Sequence, residues 1–132
     1  AEDAEILLLT MGSMGETAEM AIDELRAKGV SVGLVKLRLW RPFPFEEIRE
    51  VLTKAKKVLV TDRAVSFGGP GGPVCSEITA ALYHEAVKPA IYNYIIGLGG
   101  RDVRVINFID IISKVAGDEI KAGSYEFMGV RE

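Results

Sequence analysis

The chain has 132 residues, a formal net charge of −3 and a charged fraction of 27%. This length suits one domain, and the nearly balanced charge does not favour nucleic acid or an anionic membrane as the main partner. The single cysteine, Cys75, excludes a disulfide framework and an iron–sulfur cluster built by this chain alone, and it favours a reducing compartment such as the cytoplasm.

Short apolar runs alternate with amphipathic segments along the chain. Strands are predicted at residues 6–11, 31–39, 57–62 and 90–97. The four predicted helices place these apolar residues at helical spacing: Ala18, Ala21, Ile22 and Leu25; Ile48, Val51, Leu52 and Ala55; Val74, Ile78, Ala81 and Leu82; Val105, Ile109, Ile112 and Ala116. This alternation predicts a mainly parallel sheet with helices on both faces. No apolar run reaches the ~18 residues of a membrane-spanning helix.

We treat residues 1–132 as one domain of a longer polypeptide, because the chain begins with Ala1 rather than Met. Residues 117–132 have no helical period and form a C-terminal tail. The tail is interpreted either as an arm that docks on a neighbour or as a frayed end.

The first glycine-bearing turn is TMGSMGET, residues 10–17. It loosely resembles the phosphate loop of flavodoxins, because hydroxyls and free N–H groups at a helix N-terminus bind anions. Glu16 would repel a phosphate, however. The favoured interpretation is therefore helix capping by Ser13, with Glu16 completing a capping box.

The second turn, SFGGPGGPV at residues 66–74, lacks the lysine of a phosphate-binding loop, and its prolines remove N–H donors. It is interpreted as a connection in which glycine permits unusual dihedral angles or the close approach of another backbone. The third turn, GLGGRDV at 97–103, begins like a dinucleotide motif, but Asp102 replaces the third glycine. Arg101 and Asp102 form either an ion pair across a subunit contact or a surface pair.

Other candidate chemistry is sparse. His84 has no visible metal partners and is expected at the surface. Asp62 and Arg63 end the third predicted strand, where α/β sheets place functional groups, although a strand-end ion pair is the commoner arrangement.

Three stretches together resemble a known family. They are KLRLWRPFPFEEIREVL at 36–52, VLVTDRAVSFGGPGGPV at 58–74 and YNYIIGLGGRDV at 92–103. They are similar to the C-terminal domain of the alpha subunit in the 2-oxoacid:ferredoxin oxidoreductases of the pyruvate type. The resemblance runs from about residue 5 to residue 115, and DRAVSFG favours pyruvate or a branched 2-oxoacid over 2-oxoglutarate.

The resemblance implies a fold like the C-terminal domain of transketolase. This fold is a three-layer α/β/α sandwich whose mostly parallel sheet has one antiparallel edge strand, which the tail is expected to hold. Enzymes of the family oxidise pyruvate with CoA to acetyl-CoA and CO₂. They use thiamine diphosphate, Mg²⁺ and iron–sulfur clusters, and they reduce ferredoxin.

The resemblance assigns no catalytic, cofactor-binding or metal-binding residue to this chain, which lacks a GDG…N motif for diphosphate and Mg²⁺. It implies a structural or assembly domain that contacts thiamine-binding and iron–sulfur subunits. The candidate contacts are Trp40, Arg41, Phe43, Arg63, Ser66, Phe67, Gly68, Arg101 and Asp102. Phe45 is a further candidate interface aromatic, and for Phe43 and Phe45 burial under the chain's own loops is the alternative. The alternative function is a stand-alone, flavodoxin-like FMN electron carrier.

Overall fold

A computed structural model describes residues 4–11, 15–37, 45–62, 72–86, 88–96, 103–120, 122–123 and 125–127. Strands and helices alternate along these residues. Their bounds are β1 Ile6–Met11, α1 Gly15–Ala27, β2 Val32–Leu37, α2 Phe45–Leu52, β3 Lys57–Asp62, α3 Pro73–Leu82, β4 Ala90–Ile95, α4 Val105–Ala116 and β5 Tyr125–Phe127. The alternation predicted from the apolar pattern is therefore confirmed.

The strands form one sheet in the order β2-β1-β3-β4-β5, and every described pair is parallel. Leu8 on β1 pairs with Leu34 on β2 and with Leu59 on β3, and Leu59 pairs with Tyr92 on β4. This is a doubly wound order, in which the chain changes direction across the sheet between β1 and β3.

The edge strand β5 differs from the expectation. The tail does hold a strand, as expected, but β5 runs parallel to β4, with Asn93 paired to Tyr125. The antiparallel edge implied by the family resemblance is therefore wrong for the described strands. The reason is the helical crossover: α4 returns the chain to the edge where β4 began, and such a connection produces a parallel neighbour.

Each face of the sheet carries two helices. Side chains of α1 and α4 pack with Ile6 and Leu8 on one face. Those of α2 and α3 pack with Leu7 and Leu9 on the other. Successive residues of β1 thus serve opposite cores, as expected of a strand covered on both faces. The three-layer α/β/α prediction is confirmed.

The predicted buried faces of α1 and α3 are confirmed, but α2 and α4 need corrections. Val51 on α2 is 38% exposed. On α4 the buried residues are Phe108, Ile111, Ile112 and Val115. Ala116 is exposed, and Val105 and Ile109 are half-buried. The buried stripe of α4 is rotated because this helix packs against α1 as well as against the sheet, with Phe108 in the shared core.

Among the helices of the described residues, none has the length and apolarity that crossing a bilayer requires.

Candidate functional site

All the candidate contact residues lie outside the described residues, so their assignment stays a prediction. The strands that precede them are described. Residues 38–44 follow β2, residues 63–71 follow β3, and residues 97–102 follow Ile96 at the end of β4. Because these strands are parallel, all three segments begin at the carboxyl edge of the sheet, which is the edge where doubly wound folds bind ligands and partners.

Asp62 ends β3 at this edge and is buried, with 2% of its surface exposed. Its carboxylate accepts hydrogen bonds from the backbone N–H of Val74 at 2.7 Å and of Cys75 at 3.1 Å. Both donors belong to the first turn of α3, whose N–H groups have no partners within the helix. Asp62 therefore caps α3 from a neighbouring strand, and its negative charge lies at the positive end of the helix dipole.

Asn93 on β4 connects Asp62 to the rest of the edge. Its side-chain amide donates to the Asp62 carboxylate and to the Val60 carbonyl, each at 3.0 Å. Its side-chain oxygen accepts from the backbone N–H of Gly72 at 2.9 Å. One buried amide thus links β3, β4 and the residue before α3. We call Asp62, Asn93 and Gly72 the polar clamp.

Gly72 completes the clamp for a steric reason. A Cβ atom at this position would overlap the Asp62 carboxyl group. The φ angle of Gly72 is −74°, which any residue adopts, so the glycine is required by close approach and not by its dihedral angle. The expectation for the SFGGPGGPV segment, an unusual dihedral angle or the close approach of another backbone, is wrong at Gly72, because the group that approaches it is the Asp62 side chain.

The clamp joins the two ends of the segment 63–71, because Asp62 precedes it and Gly72 follows it. Burial raises the pKa of Asp62, while the N–H groups of Val74 and Cys75 and the Asn93 amide oppose the rise. These bonds occupy the carboxylate with structural partners. Asp62 therefore acts as a helix cap. The strand-end ion pair with Arg63 stays a prediction, because Arg63 lies outside the described residues.

Cys75 and His84 do not form a reactive site in the described part of the chain. Burial and the nearby charge of Asp62 raise the pKa of the Cys75 thiol to about 11, so the thiol stays protonated at neutral pH and is a poor nucleophile or metal ligand. His84 is exposed in the turn after α3, as expected. Within the described ranges, no group of three histidine, cysteine or acidic side chains is placed to bind a metal ion.

On the opposite face of the sheet, two threonines occupy the carboxyl edge. The Thr61 hydroxyl donates to the Leu9 carbonyl at 3.0 Å. Thr10 is 1% exposed, and its hydroxyl oxygen has no hydrogen-bond partner among the residues that the structure describes. The helix after Thr10 begins at Gly15, and the predicted cap residue Ser13 lies outside the described residues. The capping box with Glu16 therefore stays a prediction.

Sequence analysis singled out Asp62 but missed Asn93 and Gly72. A signal for Asn93 is present: it is the polar residue inside the otherwise apolar run AIYNYIIG. A polar side chain inside a strand buried on both faces must find partners, so this pattern indicates a hydrogen-bond network. Gly72 gives no comparable signal, because several glycines and prolines surround it.

The chain is similar to known proteins over nearly all of its length. The family described as pyruvate:ferredoxin oxidoreductase core domain II matches residues 4–108. The pyruvate synthase subunit PorA of Thermotoga maritima is 37% identical, across 99% of this chain and 33% of the relative. PorA of Methanothermobacter thermautotrophicus is 42% identical, across 99% and 32%. The ketoisovalerate oxidoreductase subunit VorA of Pyrococcus horikoshii is 44% identical, across 79% and 26%.

A solved structure of CapF with the inhibitor 3-isopropenyl-tropolone superposes with a TM-score of 0.44 and 15% identity, covering 92% of this chain and 30% of that one. Nothing about function follows from likeness at this level. The chain spans about one third of the length of the pyruvate synthase subunits it matches. The match over residues 4–108 shows that this chain belongs to the pyruvate:ferredoxin oxidoreductase core domain II family.

Proposed function

We propose that this chain is an architectural domain of the alpha-type subunit of a 2-oxoacid:ferredoxin oxidoreductase. The observation that carries the proposal is the family match over residues 4–108, together with relatives about three times as long as this chain. In this proposal the whole enzyme oxidatively decarboxylates pyruvate with CoA, forms acetyl-CoA and CO₂, and reduces ferredoxin in the cytoplasm. The domain holds neighbouring parts of that enzyme in place.

The single cysteine and the acidic groups among the described residues do not fit the iron–sulfur clusters and the Mg²⁺ of such an enzyme. A typical iron–sulfur cluster needs four thiolates, and the chain has one cysteine, whose thiol is held protonated. The buried carboxylate of Asp62 is occupied by backbone N–H groups and an amide. Thiamine diphosphate, Mg²⁺ and the clusters are therefore assigned to other parts of the enzyme, and no catalytic step is assigned to residues described here.

The polar clamp gives the proposed domain a mechanical role. It ties the end of β3 to the start of α3 and so anchors both ends of the segment 63–71, which contains the predicted contacts Arg63, Ser66, Phe67 and Gly68. A segment anchored at both ends loses less conformational entropy on binding a partner than a free one. The clamp therefore supports a surface that is prepared for assembly at the carboxyl edge.

Anaerobic purification tests the proposal. The polypeptide that carries this chain is tagged in its own organism, and the copurifying proteins are identified by mass spectrometry. We expect thiamine-binding and iron–sulfur subunits, and pyruvate- and CoA-dependent reduction of a viologen dye by the complex. Dye reduction by residues 1–132 alone would contradict the architectural role. A complex without those subunits would contradict the family assignment of the activity.

Substrate choice is tested on the same complex, because the relatives carry names of both pyruvate and ketoisovalerate enzymes. We expect a higher kcat/KM with pyruvate than with 2-oxoisovalerate. The competing FMN-carrier hypothesis is tested by titrating FMN with the protein. Quenching of flavin fluorescence at micromolar protein would support a carrier, whereas we expect none.

A further inference from the structure

A groove of about 410 Å³ runs beside α3 on the flank that faces β4. Cys75 and Thr79 line its α3 side, and Ile91 and Asn93 line its β4 side. The groove exists because α3 packs mainly on β3 and α2. The next helix, α4, crosses to the opposite face and packs with α1. Among the described residues that line the groove, α3 is the one helix represented, and on this face of β4 Ile91 is half-buried while Asn93 and Ile95 are buried.

The chemistry of the groove favours an apolar occupant. The donors of its short polar side chains are already used inside the chain. The Asn93 amide donates to Val60 and Asp62, the Ser76 hydroxyl to the Gly72 carbonyl, and the Thr79 hydroxyl to the Cys75 carbonyl. A polar small molecule would find few free donors to orient it, whereas an apolar protein segment needs none.

The end of the groove has the features of an interaction surface. Tyr83 is 67% exposed although it is large and aromatic. Its ring lies edge-on to the His84 ring, with centroids 5.0 Å apart, and the Lys88 ammonium lies 5.6 Å from its centroid. Exposed tyrosines frequently anchor protein interfaces. Among the described residues that line the groove, Lys88 carries the charge. A partner segment that places a carboxylate at this end of the groove would therefore match it electrostatically.

The length of the relatives supports one source for the occupant. About two thirds of a related subunit lies outside the region matched by this chain. We infer that the groove between α3 and β4 is the docking site for a segment of the same oxidoreductase outside residues 1–132, with an apolar stripe and a carboxylate that meets Lys88. This inference rests on the proposed function, and it assigns to assembly a groove that adjoins the polar clamp at Asn93 and extends along α3 to Tyr83 and Lys88.

Photo-crosslinking in the intact complex tests the inference. A small diazirine amino acid is placed at Thr79, which is exposed and lines the groove, or at Ala80, which is exposed on the same helix and does not line it. We expect position 79 to crosslink to a peptide of the enzyme outside residues 1–132, at a yield at least ~10-fold above position 80. Three results would overturn the inference: position 79 crosslinks only within residues 1–132, it crosslinks only to a second copy of this chain, or it gives no crosslink.

A charge substitution gives the second measurement. Thr79→Arg is expected to lower the yield of assembled complex ~10-fold or more, and Ala80→Arg to leave it within about twofold. Equal yields for the two variants would also overturn the inference. If the complex keeps its subunits and dye reduction while position 79 gives no external crosslink, the docking site is wrong and the proposed function stands. If no oxidoreductase complex is recovered, the proposed function fails first.

Discussion

The two edges of the sheet are stabilised by different interactions: buried hydrogen bonds at the carboxyl edge and exposed ion pairs at the amino edge. At the carboxyl edge, buried polar groups form hydrogen bonds with one another. Asp62 accepts from Val74, Cys75 and the Asn93 amide, and the Asn93 side-chain oxygen accepts from Gly72. At the amino edge, the chain turns tightly and its ion pairs reach solvent. Lys57 meets Asp118 at 2.7 Å, but the Asp118 side chain is 75% exposed.

This difference predicts where substitutions matter. Removing one partner from a buried network leaves the other partners without hydrogen bonds, which costs about 1–3 kcal/mol for each group. Exposed ion pairs contribute about 0–1 kcal/mol, because water and salt screen them. The carboxyl edge is therefore expected to be a stiff base for the segments that follow it, and the amino edge a tolerant one.

The largest expected effect comes from Gly72→Ala. The new Cβ overlaps the Asp62 carboxyl group, so the clamp must separate, and we expect a loss of about 3 kcal/mol in the free energy of unfolding. Urea denaturation followed by circular dichroism measures it. The matched control is Gly29→Ala at the amino edge, where φ is +89° and the space around Cβ is open. That change is expected to cost about 1 kcal/mol. Equal losses would remove the distinction between the edges.

Asp62→Ala is the next test of the clamp. It leaves the N–H groups of Val74 and Cys75 without their acceptor, and we expect a loss of about 2–3 kcal/mol in the free energy of unfolding. Asp110→Ala serves as control, because Asp110 forms an exposed pair with Lys114 one helical turn away. The control is expected to stay within about 0.5 kcal/mol of the wild type. If Asp62→Ala also lowers the free energy of unfolding by no more than about 0.5 kcal/mol, the cap is dispensable.

The pH dependence of stability sharpens the account of Asp62. Burial raises its pKa in the folded state, so between the unfolded and folded pKa values the native state binds more protons than the unfolded state. The contribution of Asp62 is therefore greatest below its unfolded pKa and declines as pH rises through the folded pKa. We expect the stability of the wild type relative to Asp62→Asn to fall as pH rises from near 4, the pKa of an unfolded aspartate, toward neutrality. A rise over this range would mean that the hydrogen bonds outweigh desolvation.

The smallest expected effect lies at the amino edge. The Lys57 ammonium donates to the Val115 carbonyl at 2.9 Å and to Asp118, close to the C-terminal end of α4. The hydrogen bond that Lys57 donates to Asp118 is the main cause that raises the pKa of Lys57. Lys57→Met is expected to lower the free energy of unfolding by less than about 1 kcal/mol. In 0.5 M salt we expect an even smaller loss, because salt screens the ion pair. A loss comparable to that of Asp62→Ala would make the two edges equivalent.

Most of the fold could be predicted from local pattern. The strands at 6–11 and 57–62 coincide with β1 and β3, because continuous apolar runs of this length suit strands covered on both faces. Side-chain burial on α4 was less predictable, since its packing on α1 turned the apolar stripe. The candidate contacts after β2, β3 and β4 stay predictions, and their shared edge follows from the parallel sheet.

The sequence by itself determined the alternation of strands and helices and the family to which the chain belongs, because these depend on residue type and spacing along the chain. The tertiary structure alone decided the parallel direction of β5, the polar clamp and the groove beside α3. Asp62 and Asn93 are 31 residues apart in sequence. Their hydrogen bond exists because parallel pairing brings β4 beside β3, and no local pattern encodes that distance.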